Sequence, residues 1–214
     1  MKKKKEEQQE LTEEQKEKER ASNYRFFAWL LMICLSIIGL RVYWNKTFAG
    51  VVVDGTSMNQ TLQNKEKLLM RYTSPLTDLK HGDVIVVDVS DYEECGDVEY
   101  LIKRLIAMEG DKVKCEDGQV YICKNWENNA EGYVAMNEPY AHYTSAADYD
   151  FKEYEVKQGE IFFLGDNRSY SIDSRYNEFN GSHLKTLYKA KDIYGIVPDW
   201  AITNREFIKK IFFS

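Results

Sequence analysis

The fifteen residues from Phe26 to Leu40 run FFAWLLMICLSIIGL without a charge, and no other segment constrains the chain so strongly. Arg41 interrupts the run, and Val42, Tyr43 and Trp44 follow. As a helix, Phe26 to Trp44 rises roughly 28 Å at about 1.5 Å per residue, close to the ~30 Å hydrocarbon core of a bilayer. Arg41 sits near the end, where its stem can lie in lipid while its head reaches the interface. Tyr43 and Trp44 carry the side chains that gather at that depth. Arg20, Arg25 and the lysines before the run outnumber Arg41 and Lys46 after it. The positive-inside rule then predicts a single-pass membrane protein: residues 1–25 a cytoplasmic charged tail, 26–44 the anchor, 45–214 an extracytoplasmic domain. Two competing readings are a cleaved secretory signal, with Thr47-Phe48-Ala49 as a faint small-x-small site, and a buried core helix.

Residues 2–20 hold seven basic residues against seven glutamates, and Leu11 is their single large apolar side chain. Such a stretch cannot bury enough surface to offset its ordering entropy, so a solvated tail with only transient helix is expected. Across all 214 residues, 43% apolar and 30% charged side chains suffice for a packed core and exclude a wholly disordered chain. A net charge of -6 argues against nucleic acid as a partner, because neutralising phosphates takes a basic surface. Four cysteines without CxxC spacing make neither a disulfide scaffold nor a structural zinc site.

After residue 45 the texture changes to short apolar runs. Residues 50–53, 67–70, 83–89, 101–106 and 159–164 read as strands. Residues 112–122 read as a hairpin turning at Asp117-Gly118, which pairs Cys115 with Val120. The one helical period is a short stretch near 205–213. The domain is therefore expected to be mainly β, with residues 126–150 an irregular insert in a hairpin-and-insert region of about 112–158.

Four patches could carry chemistry. In Asp54-Gly55-Thr56-Ser57-Met58-Asn59-Gln60-Thr61-Leu62, Gly55 permits a sharp turn that presents Ser57 as a strand ends, although a serine in a turn is usually only a turn former. In Leu101-Ile102-Lys103-Arg104-Leu105-Ile106-Ala107, strand alternation puts Lys103 on a face with Leu101, Leu105 and Ala107. A lysine there is either an edge residue with its amine in water or a desolvated amine. The difference matters, since an ordinary lysine near pKa 10.4 is charged at neutral pH and cannot accept a proton. Burial disfavours the ammonium, and a shift to about 8 takes roughly 3 kcal/mol. The third patch, Gly165 to Arg175 (GDNRSYSIDSR), is either solvated surface or a hydrogen-bonded network; Asp173–Arg175 or Asp166–Arg168 could form ion pairs. The fourth, residues 82–87, says only turn and then buried strand.

Taken together and in this order behind the anchor, the patches resemble those of bacterial type I signal peptidases, membrane-anchored Ser-Lys proteases, in their single-anchor Gram-positive-type subgroup. The family's boxes read S-M-x-P-T-L, K-R-x-x-G-x-P-G-D and G-D-N-R-x-x-S-x-D-S-R. This chain has Ser57-Met58-Asn59-Gln60-Thr61-Leu62, then Lys103-Arg104 with Gly110-Asp111, and the last box complete from Gly165 to Arg175. The resemblance covers about Phe26 to Val197, with 190–195 similar to the closing strand.

The resemblance implies a mainly β, signal-peptidase-like sheet domain and a serine endopeptidase that removes signal peptides from secreted preproteins after small residues (Ala-x-Ala type). It implies that Ser57 is the nucleophile and its N–H an oxyanion donor, and that Lys103 is the general base. Ser171 would orient Lys103, Asp173 and Arg175 would hold the loop, and Met58 would line the substrate pocket. Preproteins and the lipid bilayer are the implied partners of a monomeric enzyme; no metal or organic cofactor is implied. The departures lie at Gln60, which replaces proline and loosens the turn by removing a fixed φ, at Ala107 and Glu109 in the lysine box, and at Gly55, where many relatives place a serine as second oxyanion donor. A catalytically weak or specialised assembly factor is the alternative these departures keep open, and a plain bitopic envelope protein is a third.

His81, His142 and His183 are far apart in the sequence, and none stands at the lysine position, against a Ser-His variant. Cys95 could bridge Cys115 or Cys123 or stay reduced. Trp44 and Ser57 are 13 steps apart, at most about 45 Å when extended, so the serine must work near the bilayer face.

Overall fold

The structure, a computed structural model, describes residues 13–73, 79–92, 95–128, 131–143, 150–175 and 188–213. The chain divides into two units at Thr47/Phe48.

The first unit is helix α1, Glu13–Thr47. It is long and apolar enough to cross a membrane by length and composition. Within the described part of the charged segment, residues 13–25 are helical, where only transient helix is expected. Nucleation is the costly step in helix formation; once the apolar run is helical, the Glu, Lys, Gln and Arg residues beside it extend it at little further cost. The remainder of that segment, 1–12, lies outside the described residues.

The second unit is mainly β. Strands β1 (Phe48–Val52), β2 (Lys67–Tyr72), β3 (Val84–Asp88), β4 (Tyr100–Met108), β9 (Glu160–Leu164), β10 (Tyr188–Lys189) and β11 (Ile193–Val197) form one sheet in the order β1-β2-β11-β3-β4-β9-β10. Strands β5 (Lys112–Glu116), β6 (Gln119–Cys123), β7 (Val134–Ala135) and β8 (Phe151–Glu155) form a second, in the order β7-β6-β5-β8. The Asp117-Gly118 turn has φ of 50° and 74°, and Cys115 faces Val120, the register expected from the sequence. Short helices α2 (Asp199–Thr203) and α3 (Arg205–Phe212) follow β11.

Two apolar cores flank β4. Ile106, Ala107, Phe162 and Leu164 pack with Val113, Val120 and Phe151 of the second sheet, while Leu105, Ile161 and Phe163 pack with Ile85, Val87, Tyr188 and Ile193. The β4–β9 register shifts between Leu105 and Ala107. This bulge corrects the simple alternation: Ala107 joins Ile106 in the first core, and Met108 takes the place on the Leu105 side, because an extra residue reverses every side chain beyond it.

None of the four cysteines forms a disulfide, and burial pushes the Cys115 thiol up to about 12. His81 is bonded through Nε2 to the buried Asp111 carboxylate at 2.7 Å, and that carboxylate also accepts the N–H groups of Met108 and Asn125. His142 serves through its backbone, and His183 lies outside the described residues.

Candidate active site

In a flat sheet β1 and β9 would stand about 24 Å apart, at about 4.8 Å per strand. The sheet instead curls, as twisted sheets do, and brings their ends together: the Asn167 N–H, just past β9, donates to the Ser57 carbonyl, just past β1, at 2.9 Å. The Asn167 side-chain amide donates to the Thr56 carbonyl at 3.0 Å.

Gly165 makes the approach possible. A methyl group there would lie 2.2 Å from Ser171 Oγ and 2.6 Å from the Ser57 carbonyl oxygen. Only a residue without Cβ lets the serine turn and Ser171 converge on this point.

Lys103 projects from the middle of β4 with only 2% of its surface exposed. Burial pulls its ammonium down to about 8, against an opposing pull from the Asp173 carboxylate. Among the described residues its amine has one hydrogen-bond partner, Ser171 Oγ, at 3.3 Å. As a general base Lys103 has to reach the Ser57 hydroxyl; the structure gives the amine's hydrogen bond to Ser171, whose Oγ is the neighbour of the Ser57 main chain across Gly165. Catalytic hydrogen bonds are often loose before substrate arrives.

The Gly165–Arg175 loop is a buried network. Arg175 grips Asp173 through Nε at 2.9 Å and Nη2 at 2.8 Å, and its Nη2 also donates to the Arg168 carbonyl. Burial alone would raise the Asp173 carboxyl; Arg175, the Gly165 N–H and Lys103 together hold it below its ordinary value. The other anticipated pair, Asp166–Arg168, does not form. Asp166 binds Arg104 through a two-pronged fork (3.0 and 2.5 Å), and Arg168 pairs with Glu138. Asp166 and Arg168 turn toward different neighbours, and each takes the partner that an adjacent strand or segment supplies, whereas Asp173 and Arg175 close on each other within the loop.

That fork reaches the serine turn. Thr61 Oγ1 donates to Asp166 Oδ2, Arg104 Nη1 donates to the Gly82 carbonyl, and the Arg104 guanidinium lies 4.0 Å from the Tyr140 ring centroid. Arg205, at the start of α3, donates to the Thr61 carbonyl at 2.8 Å. Sequence reasoning quoted Thr61 in the serine box without giving it a role and did not find Glu138, Tyr140 or Arg205; the adjacency of Lys103 and Arg104 was the available signal for Arg104.

Met58 is fully buried, and its carbonyl accepts the N–H groups of Thr61 and Leu62. Gly55 is exposed at φ 102°, with its N–H on Asn64 Oδ1. Gln60 sits at φ 87°, so the turn is more than loosened: proline, fixed near φ -65°, cannot occupy it. Among the described residues no group of three His, Cys, Asp or Glu side chains could hold a metal ion. The arrangement offers a poised amine, a hydroxyl-bearing turn and a rigid polar loop between them, the parts of a Ser-Lys acyl-transfer site.

The family model described as "Signal peptidase, peptidase S26" matches residues 24–209. A signal peptidase I of Bacillus amyloliquefaciens is 33% identical over 164 residues, covering 74% of this chain and 83% of its own. Signal peptidase I S of Bacillus subtilis (strain 168) is 32% identical over 167 residues, with 75% and 84% covered. A crystal structure of a signal peptidase I from Enterococcus faecalis V583 superposes with a TM-score of 0.40 at 24% identity, over 57% of this chain and 98% of that one. With the family model spanning most of its length and relatives above 30% identity, this chain belongs to the signal peptidase family, peptidase S26.

Proposed function

We propose that this signal peptidase cleaves exported preproteins after small residues of Ala-x-Ala type, with Ser57 as nucleophile and Lys103 as general base. The observation that carries the assignment is the lysine: a fully buried amine drawn down to about 8, hydrogen-bonded to Ser171 against the serine turn. The neutral amine takes the Ser57 proton as Oγ attacks the scissile carbonyl, and returns it to the leaving amine. The Ser57 N–H donates to the developing oxyanion. Ser171 orients Lys103, Asp173 and Arg175 fix the loop that carries Ser171, and Met58 backs the pocket behind the nucleophile.

Residues 26–44 anchor the enzyme, 1–25 face the cytoplasm, and 45–214 act as a monomer outside, taking preproteins and not nucleic acid. The support is the apolar run, the excess of basic residues before it and the short link to Ser57. A substrate held by its own apolar segment then reaches the site at high effective concentration.

The test incubates membranes carrying the enzyme with a preprotein bearing an Ala-x-Ala site. Wild type is expected to cut and Ser57→Ala to be inactive; equal cleavage by both overturns the assignment.

A further inference from the structure

We propose that residues 136–143, which lie outside all the residue boxes, form a strap that positions the reacting pair Ser57 and Lys103, with Glu138 and Tyr140 as its positioning side chains. The inference rests on the assignment of that pair under the proposed function.

Both ends of the strap are tied to the β5–β6 hairpin. The Met136 N–H donates to the Val120 carbonyl at 2.9 Å, and the Tyr143 hydroxyl donates to the Gly118 carbonyl at 2.7 Å. Between those ties the chain crosses to the Gly165–Arg175 loop and its neighbour β4, and holds them at three points. The first is main chain: the His142 N–H donates to the Asp166 carbonyl, and the His142 carbonyl accepts the Arg168 N–H, both at 2.8 Å. These two bonds bracket Asn167, whose own N–H holds the Ser57 carbonyl. The second is Glu138, whose carboxylate accepts from Nη1 and Nη2 of Arg168, while Nε of the same guanidinium donates to the Gly165 carbonyl at 3.0 Å. Gly165 is the point where Ser171 meets the Ser57 main chain. The third is Tyr140, whose ring centroid lies 4.0 Å from the Arg104 guanidinium and whose hydroxyl donates to Glu138 at 3.3 Å. Arg104 follows Lys103 directly in β4 and grips Asp166, the acceptor for Thr61 of the serine turn.

Each strap side chain therefore ends on an arginine, and the far side of each arginine leads to the serine turn or to the glycine that Ser57 and Ser171 share. Stability does not account for this arrangement. The Glu138 and Arg168 side chains are only 5% and 1% exposed. Desolvating a buried ion pair costs about as much as its attraction returns, so such a pair is weak evidence for stability. What a two-pronged fork does fix is direction. A reacting pair has to be held within about 0.5 Å of its productive geometry by supports of this kind.

The test measures single-turnover cleavage of a preprotein bearing an Ala-x-Ala site by the full chain in nanodiscs. With the enzyme in saturating excess, the maximal rate constant does not depend on the fraction of enzyme folded. Glu138→Gln keeps the shape and removes the charge, so the Arg168 guanidinium turns toward water and releases Gly165. The maximal rate constant is expected to fall about 10²-fold, with half-saturation within about twofold of wild type. Glu138→Asp should recover part of the rate. Tyr140→Leu should lower it about tenfold, and Tyr140→Phe, which keeps a ring on Arg104, should recover part of that loss. An unchanged rate constant in either Glu138→Gln or Tyr140→Leu overturns the proposal. So does a loss confined to half-saturation, which makes the segment a substrate contact. Where Glu138→Gln fails to fold, Tyr140→Leu decides by the same two criteria. Ser57→Ala, run alongside, separates the two readings. If it is inactive while the strap variants cut at the wild-type rate, this inference alone falls. If it cuts as wild type does, the assignment of the reacting pair falls and this inference with it.

Discussion

The Lys103 amine lies 3.3 Å from Ser171 Oγ although 68 residues separate them. This contact gives a buried amine its one described partner and aims it at the serine turn. Ser171→Ala is expected to lower kcat about 10²-fold with little change in KM, the scale of a misplaced catalytic group. Cysteine or threonine in its place should restore part of the rate. Single-turnover cleavage of a preprotein measures both, and an unaffected kcat would remove Ser171 from its positioning role.

Lys103 should show itself twice in pH dependence. Because burial brings its pKa to about 8, kcat/KM is expected to rise toward that pH and level above it. Stability moves in the same direction: the folded state holds its proton less tightly than the unfolded chain, so the cost of the buried amine is fully present below about 8 and is relieved as pH rises toward the unfolded value of 10.5. Lys103→Met should thus be inactive and, at neutral pH, more stable by about 3 kcal/mol. That margin should shrink as denaturation is repeated between pH 8 and 10.5.

Gly165→Ala forces a methyl group to within 2.6 Å of the Ser57 carbonyl and closer still to Ser171. Backbone cannot yield as a flexible side chain does. The variant should fold, with near-native circular dichroism, and lose at least about 10²-fold in kcat. Native activity would show that the convergence of the two serines is dispensable.

Asp166 is the buried counter-charge to Arg104 and the acceptor for Thr61. Asp166→Asn leaves the guanidinium uncompensated and should destabilise the domain by about 3–5 kcal/mol in urea denaturation. Thr61→Val, which removes one neutral bond, should cost about 1 kcal/mol.

At Gln60, φ is 87°. Gln60→Gly should raise stability by up to about 1 kcal/mol by relieving the left-handed strain. Gln60→Pro, the family's own residue, should lower it by more than about 1 kcal/mol, because proline cannot adopt this angle. A shift in Tm reads both; a stabilising proline would mean that the turn relaxes to the family's geometry.

The amino-acid sequence by itself determined the anchor candidate, strands β1 to β4 and β9 and the Asp117-Gly118 hairpin, because periodicity and turn chemistry are local; it left β7, β8 and β10 unread. It also marked the residue boxes, since each is contiguous in the chain. It did not reach the partners of the buried charges. Asp166 chose Arg104 over Arg168, Arg168 chose Glu138, and Ala107 changed faces at a bulge. Nor did it show that the amine of Lys103 is dry, or that Gly165 is where Ser57 and Ser171 meet. Those outcomes depend on which strands become neighbours and on how far the sheet curls, and both are decided by packing between segments distant in sequence.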